Sequence, residues 1–439
     1  MNYSESIQAL DFFVNHEKTN SFDYPEAFKL ERMRALAKEF KNPQNAFESI
    51  LIAGSKGKGS TAAFLSAILR MENWKVGLYT SPHLWDVRER IQVNGLPLSQ
   101  SRFTEFMERM KKIMNDYSWK KNPPTYFEVL TVMAFNYFKE MKVQTAVLEV
   151  GLGGLYDSTN IAPAKVCGLT PISLEHTDKL GKTVSKIAVQ KCGIVKGREI
   201  VVSAPQSAEA QSVIESACQE REAALFRVGK DIKIFEREFG EDFQKMDVRT
   251  PWGDFYNLEI RLLGTHQMEN AAQAVGLAMG LGRKTHLNVS EIAIRRGVLD
   301  AGWPGRLEKV AQHPRIVLDG AHTVDSIKKM LEGLRRHFEF SGLVAVFGSS
   351  GDKDAEGMLA HLAPECRRLV LTQFQNPRAM PCRLLAEKMP TGFKEVCVEP
   401  DPPEALKQAV AQAGAEDLIL VTGSLFLVAE LREAARGFL

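Results

Sequence analysis

The sequence predicts an α/β protein of two domains, each built on a doubly wound parallel sheet. Short apolar runs alternate with longer amphipathic ones from residue 49 onward, and the alternation restarts after the Gly/Pro-rich stretch AGWPGRLE at 301–308. Length allows two domains or three, because 439 residues exceed one comfortable core.

Taken in order, the first stretch reads as helices. Ile7, Leu10 and Val14 recur at helical spacing, as do Leu30, Met33 and Leu36. The runs SILIAG, KVGLYTS, TAVLEVG, KVCGLTPI and EIVVSA are strand-like, with helical patterns at 61–72, 102–115, 127–140 and 183–194 between several of them. Residues 225–262 hold short β-prone pieces and turns, which predict a small antiparallel excursion before THQMENAAQAVGLAMG returns to helix. The second series runs RIVLDG, LVAVFGS, RLVLTQF and DLILVTGS, alternating with helices near 324–337, 355–364, 403–413 and 425–436. The expected domains are 1–300, a linker at 301–306, and a smaller domain at 307–439, with no internal repeat or low-complexity tract.

Composition narrows the function classes. A net charge of +2 argues against a large electrostatic footprint for nucleic acid or anionic membrane. Cys167, Cys192, Cys218, Cys366, Cys382 and Cys397 form no CxxC pair, so free thiols in a reducing compartment are expected rather than a metal finger or disulfide framework. The start, MNYSESIQALDFFVNHEK, has no basic n-region or long apolar core, and no run approaches membrane-spanning length; the expected location is the cytoplasm.

The chemistry begins at IAGSKGKGST, residues 52–61. Glycines let backbone N–H groups approach an anion, the following helix contributes its positive end, and a lysine meets terminal phosphate oxygens. Here 50–53 is the strand, Gly54–Gly59 the loop, and Ser60 opens an apolar-periodic helix. The spacing departs from G-x-x-x-x-G-K-[ST], since Gly54 lies four residues before Lys58, and a ligand-free glycine turn is the bland alternative. Strand, loop, helix and lysine together favour an ATP-type polyphosphate. Such a ligand brings Mg²⁺, which takes oxygen donors and keeps waters. Candidates at strand ends are Ser81, Glu149 and His176; the alternatives are a solvated strand end for Glu149 and a non-ligand role for His176, an unusual magnesium donor.

With these residues assembled, the chain resembles the folylpolyglutamate synthase / dihydrofolate synthase family of the Mur ligase superfamily. The resemblance spans nearly the whole chain, through GSKGKGS, GLYTSPHL, RERI, TYFE, LEVGLGG, DSTN, LEHTDKLG, KCGIVK, WPGRLE, LDGAH, GDKD, PRAMP and VTGSLFLVAE in the family's order. It implies an amino-terminal P-loop-type ATPase domain and a smaller, Rossmann-like carboxy-terminal domain. It further implies that Lys56, Gly57, Lys58, Gly59 and Ser60 cradle ATP, with Asn270, Arg306 and Asp319 contacting the nucleotide. Ser81, Glu149 and His176 would ligate magnesium, of which two ions accompany ATP, and His322 would lie near the incoming L-glutamate. Lys191 falls where the family carries a lysine carbamylated by CO₂; the alternative is a plain helix lysine. The folate or pterin contacts match Thr125, Tyr126, Phe127 and Glu128, then Tyr156, Asp157 and Ser158, and more loosely Phe28 to Glu31.

The implied activity is ATP-dependent addition of glutamate to a reduced folate, and to dihydropteroate if the enzyme is bifunctional, by a monomer acting through an acyl phosphate. Four departures stand out. Lys56 replaces an asparagine and would touch a phosphate or pair with an acid; Thr323 replaces an asparagine, Leu155 an arginine, and AFKLERM lacks a glycine of some dihydrofolate synthases. A peptidoglycan ligase of the Mur group would need a uridine-nucleotide domain before the loop, where only about fifty residues precede Gly54. A nucleotide-sensing switch or binding module using the same loop would not need a second domain supplying Arg306 and His322, and the NKxD sequence of guanine recognition is absent.

Overall fold

The computed structural model describes residues 1–17, 29–393 and 395–438, so Phe28 lies outside it. The chain divides into two compact units: Met1–Glu236 with Met246–Glu259 and Met268–Ala301, and Arg237–Lys245 with Ile260–Gln267 and Gly302–Leu439.

The first unit is organised by an eight-stranded sheet: β1 (Glu48–Ala53), β2 (Val76–Tyr79), β3 (Ile91–Val93), β4 (Leu96–Pro97), β5 (Thr145–Glu149), β6 (Ala164–Leu169), β7 (Ile200–Ser203) and β8 (Ala224–Arg227). The order is β4-β3-β2-β5-β1-β6-β7-β8. Pairing is parallel from β2 through β8, and β3 and β4 add antiparallel strands at one edge. Runs such as Ile50–Ala53 are apolar without alternation because helices cover both faces of a parallel sheet; all four are fully buried. β1 sits between β5 and β6, so the carboxyl ends of these three strands meet where the winding reverses, the place ligands occupy in open α/β sheets.

The helices of this unit begin with α1 (Tyr3–Asp11) and α2 (Leu30–Glu39). α1 is held by a capping box between Asn2 and Glu5. Its repeat stops at Leu10: Val14, read from the sequence as helical, lies past the end, 52% exposed, and its carbonyl receives the Tyr126 N–H. α3 (Lys58–Arg70), α4 (Gln100–Ile113), α5 (Tyr126–Glu140), α6 (Val184–Cys192) and α7 (Ala208–Glu220) follow. α3 is buried nearly all round and crosses α9 (Glu291–Asp300) at backbone distance, since a Cβ on Gly297 would stand 2.3 Å from Ile68 Cα. α8 (Thr265–Lys284) precedes α9 in the chain.

Residues 225–227, grouped by sequence with the antiparallel excursion, instead belong to β8 and extend the main sheet in parallel, as a crossover through α7 allows. The excursion proper is a three-stranded sheet, β9 (Lys233–Phe239), β10 (Gln244–Thr250) and β11 (Gly253–Ile260), in the order β11-β10-β9.

The second unit holds a six-stranded sheet of β12 (Glu308–Gln312), β13 (Arg315–Leu318), β14 (Leu343–Phe347), β15 (Arg368–Leu371), β16 (Val396–Val398) and β17 (Leu418–Thr422), ordered β12-β13-β17-β14-β15-β16. Only β12 runs antiparallel. Along β14, Leu343, Ala345 and Phe347 enter one core and Val344 and Val346 the other, so both faces are covered. The longer helices are α10 (Val324–His337), α11 (Ala355–Leu362), α12 (Pro402–Gln412) and α13 (Leu425–Arg436), with a short one at Cys382–Ala386. All six cysteines are free thiols, and no described helix is long and apolar enough to cross a membrane.

Candidate active site

β1 ends at Ala53 and the loop turns sharply. Gly57, with φ of +83°, caps α3, and a Cβ there would stand 2.6 Å from Asn270 Oδ1. No side chain caps α3, so its first N–H groups and its positive end are presented to whatever occupies the turn. Lys58 Nζ folds back to the carbonyls of Gly54 (3.0 Å) and Ser55 (3.4 Å). Lys191, from α6, donates to the same Gly54 carbonyl at 2.7 Å. Its amine is almost fully buried; burial first, and then the charges of Lys58 and Lys56, lower its pKa to about 7. Lys56 turns elsewhere, to within 3.7 Å of Glu175. Burial alone would raise the Glu175 carboxyl, but the hydrogen bond from His176 and the charges of Lys56 and Lys58 hold it well below the usual range.

Two of the three metal candidates meet. Glu149, 4% exposed at the end of β5, accepts the Ser81 N–H at 3.0 Å. His176, with φ of +49°, lies beside Glu175, its Nε2 3.5 Å from a carboxylate oxygen. Among the described residues no group of three or more His, Cys, Asp or Glu side chains is arranged to hold a metal. One buried carboxylate next to a serine suits Mg²⁺, which completes its shell with water and phosphate oxygens. Ser60 is buried in the first turn of α3, and Asn270 is buried beside Gly57, with Thr61 Oγ1 3.4 Å from its Oδ1.

The residues matched to the pterin side are mostly occupied with structure. Thr125 and Glu128 form the capping box of α5. Glu128 also receives Arg32 Nε on both oxygens, at 3.0 and 2.8 Å, and burial raises its pKa against that cation. Tyr126 lies under the Arg90 guanidinium, 5.7 Å from ring centroid to Cζ. The Phe127 ring fills the space a side chain on Gly151 would need. Asp157 is fully buried and accepts the N–H groups of Gly151, Leu152 and Thr159 and the Thr159 hydroxyl. It anchors the turn after β5. Ser158 is buried in that turn, whereas Tyr156 is half-buried and Glu31 exposed.

Sequence reasoning passed over Glu175, Arg32 and the buried Arg90, whose guanidinium takes Glu17 at 2.7 and 2.6 Å and donates to His83 Nδ1. Arg90 and His83 sit inside quoted motifs, but no local pattern announces a partner seventy residues away.

In the second unit Asp319 is buried and receives the N–H groups of Leu307 (2.9 Å) and Ala321 (2.8 Å); burial raises its pKa and the Arg306 charge opposes this. Arg306 donates to the Gly305 carbonyl. His322 donates from Nδ1 to the Gly320 carbonyl at 2.8 Å, and Thr323 caps α10 in a reciprocal pair with Ser326.

Comparison with known proteins agrees with this architecture. Residues 52–278 match the Mur ligase middle domain, and residues 305–425 the Mur ligase glutamate ligase domain. The chain is 33% identical to the dihydrofolate synthase/folylpolyglutamate synthase of Bacillus subtilis over 92% of its own length and 94% of that protein. The folylpolyglutamate synthase of Mycobacterium tuberculosis, solved with ADP, superposes with a TM-score of 0.90 at 28% identity, over 99% of this chain and 98% of that one. FolC of Escherichia coli, solved with DHPP and ADP, gives 0.86 at 29% identity, over 100% and 98%. The chain belongs to the dihydrofolate synthase/folylpolyglutamate synthase family of Mur ligases.

Proposed function

We propose that the turn Gly54–Gly57 and the first turn of α3, which opens at Lys58 rather than at Ser60 as the sequence suggests, hold the phosphates of ATP with Lys58 and Lys191 while a folate carboxylate is activated and joined to glutamate. That the chain is an ATP-dependent ligase adding glutamate to a folate follows from its family. The observation that carries the site is the uncapped start of α3 behind left-handed Gly57, with two ammonium groups converging on one loop carbonyl.

A carboxylate is a poor acylating agent because its leaving group would be oxide. Transfer of the γ-phosphoryl group makes an acyl phosphate, the α-amine of glutamate attacks it, and the tetrahedral intermediate collapses to amide and phosphate. The protein contributes position and charge. The α3 amides and Lys58 face the phosphates; a neutral oxygen acceptor such as the Gly54 carbonyl yields an ammonium readily to a charged phosphate oxygen. Glu149 and Ser81 would hold Mg²⁺, which supplies further charge neutralisation when bound. Lys191, with a pKa about 7, keeps a neutral fraction at physiological pH, and a neutral amine is what CO₂ attacks to form a carbamate. Incorporation of ¹³C-bicarbonate as a lysine carbamate signal lost in Lys191→Met would support that modification; an unchanged spectrum would sink it.

The acceptors we propose are a tetrahydrofolate and, secondarily, dihydropteroate, with Phe127 and Tyr156 the candidate contacts left partly accessible. Phosphate release from purified protein, measured with ATP, glutamate and each acceptor in turn, tests this. Release that requires all three substrates supports the reading; acceptor-independent hydrolysis contradicts it. Nucleic acid and membranes have no part in it, and the working unit we propose is a monomer in the cytoplasm.

A further inference from the structure

The half of the loop that precedes Gly57 is sewn to a neighbouring segment. Past the last residues of β1 and β6, Thr170 N–H reaches the Ala53 carbonyl at 2.8 Å, and the N–H groups of Ser55 and Lys56 share the Pro171 carbonyl at 2.9 and 3.3 Å. The Ser55 hydroxyl donates to the Ser173 carbonyl and accepts the Ser173 N–H, both at 3.1 Å. The Lys56–Glu175 ion pair continues this seam by one further tie, with the two side chains 33% and 19% exposed.

The two loop lysines therefore face different competitors. Lys58 rests on neutral carbonyls. Lys56 rests on a carboxylate that is largely out of solvent and that also has the His176 ring at 3.5 Å; moving Lys56 to a phosphate would take one of the counter-charges from that carboxylate beside a polyanion. The resemblance gave two fates for this lysine, a phosphate or an acid.

We propose that Lys56 is a positioning residue: paired with Glu175, it completes the seam that sets the curvature of the loop, and of the two loop lysines only Lys58 meets the triphosphate. The inference rests on the nucleotide reading above and adds to it a structural division of labour within five residues.

Calorimetric titration with Mg·ADP, together with thermal unfolding, tests it on Lys56→Asn, Glu175→Gln, the double variant and Glu175→Asp. Each single neutralisation should weaken ADP about 3- to 10-fold, and the double variant no more than the worse single one, because both remove the same tie. Unfolding temperatures should show the same non-additivity, and Glu175→Asp, which keeps the charge, should recover most of the affinity. A larger loss in Lys56→Asn alongside unchanged or tighter binding in Glu175→Gln would overturn the proposal, because that is how a phosphate ligand and its competitor behave. Wild-type protein that fails to bind ADP would instead overturn the nucleotide reading beneath it.

Discussion

The turn from β1 into α3 and the turn from β13 into α10 both carry a parallel strand into a helix, yet they treat the helix amides in opposite ways. At α10, Thr323 and Ser326 cap each other, the His322 N–H goes to the Ser326 hydroxyl, and Asp319 accepts the Ala321 N–H. At α3 the cap is a glycine with no side chain to offer, and the nearby charges are lysines. A helix start that satisfies itself has little left for an anion, whereas an uncapped one flanked by ammonium groups is incomplete without it. The contrast teaches where to look for phosphate: in the turn left unfinished.

The strongest way to break the comparison is Lys58→Ala. If Lys58 neutralises the transferring phosphoryl group as proposed, the change should cost about 10²- to 10³-fold in turnover, read by phosphate release, with little change in unfolding temperature. Gly57→Ala should come next. It forces an L-residue to φ +83° and a Cβ to within 2.6 Å of Asn270, so ADP affinity should fall, with roughly 1–2 kcal/mol of strain visible in denaturant unfolding.

Burial, reinforced by the Lys58 and Lys56 charges, predicts a pH effect through Lys191, whose folded pKa of about 7 lies below its value of roughly 10.4 when unfolded. Between those values the unfolded chain binds the extra proton, so stability should rise with pH from about 7 towards 10 and be insensitive to this group below 7. Unfolding free energies of wild type and Lys191→Met across that range check it; parallel profiles would refute it. The smallest effect belongs to the finished turn. Thr323→Ala should lose about 1 kcal/mol of stability, measured by urea unfolding, as the loss of a helix cap does.

Much of this was legible in the residues. Glycine and lysine spacing at 54–59, framed by an apolar strand and a periodic helix, named the loop, and Glu149 announced itself by ending an apolar run and proved to be beside Ser81. What stayed hidden shares one physical cause. Sequence gives a side chain's chemistry but not its direction. Asp157 makes four bonds within its own turn, and Lys56 lies 3.7 Å from Glu175, directions that the residue types alone do not announce. Partners such as Glu175 for Lys56, or Glu17 for Arg90, lie too far along the chain for any periodicity to link them.

The close crossing of α3 and α9 has a consequence for how this protein could be tuned. Since Gly297 touches the spine of the helix whose first residue is Lys58, even one added methyl there must shove that rod sideways, dragging the Lys58 ammonium with it. A library selected for altered nucleotide affinity should thus return substitutions at this buried helix crossing, and medicinal chemistry aimed at the loop could be evaded from there.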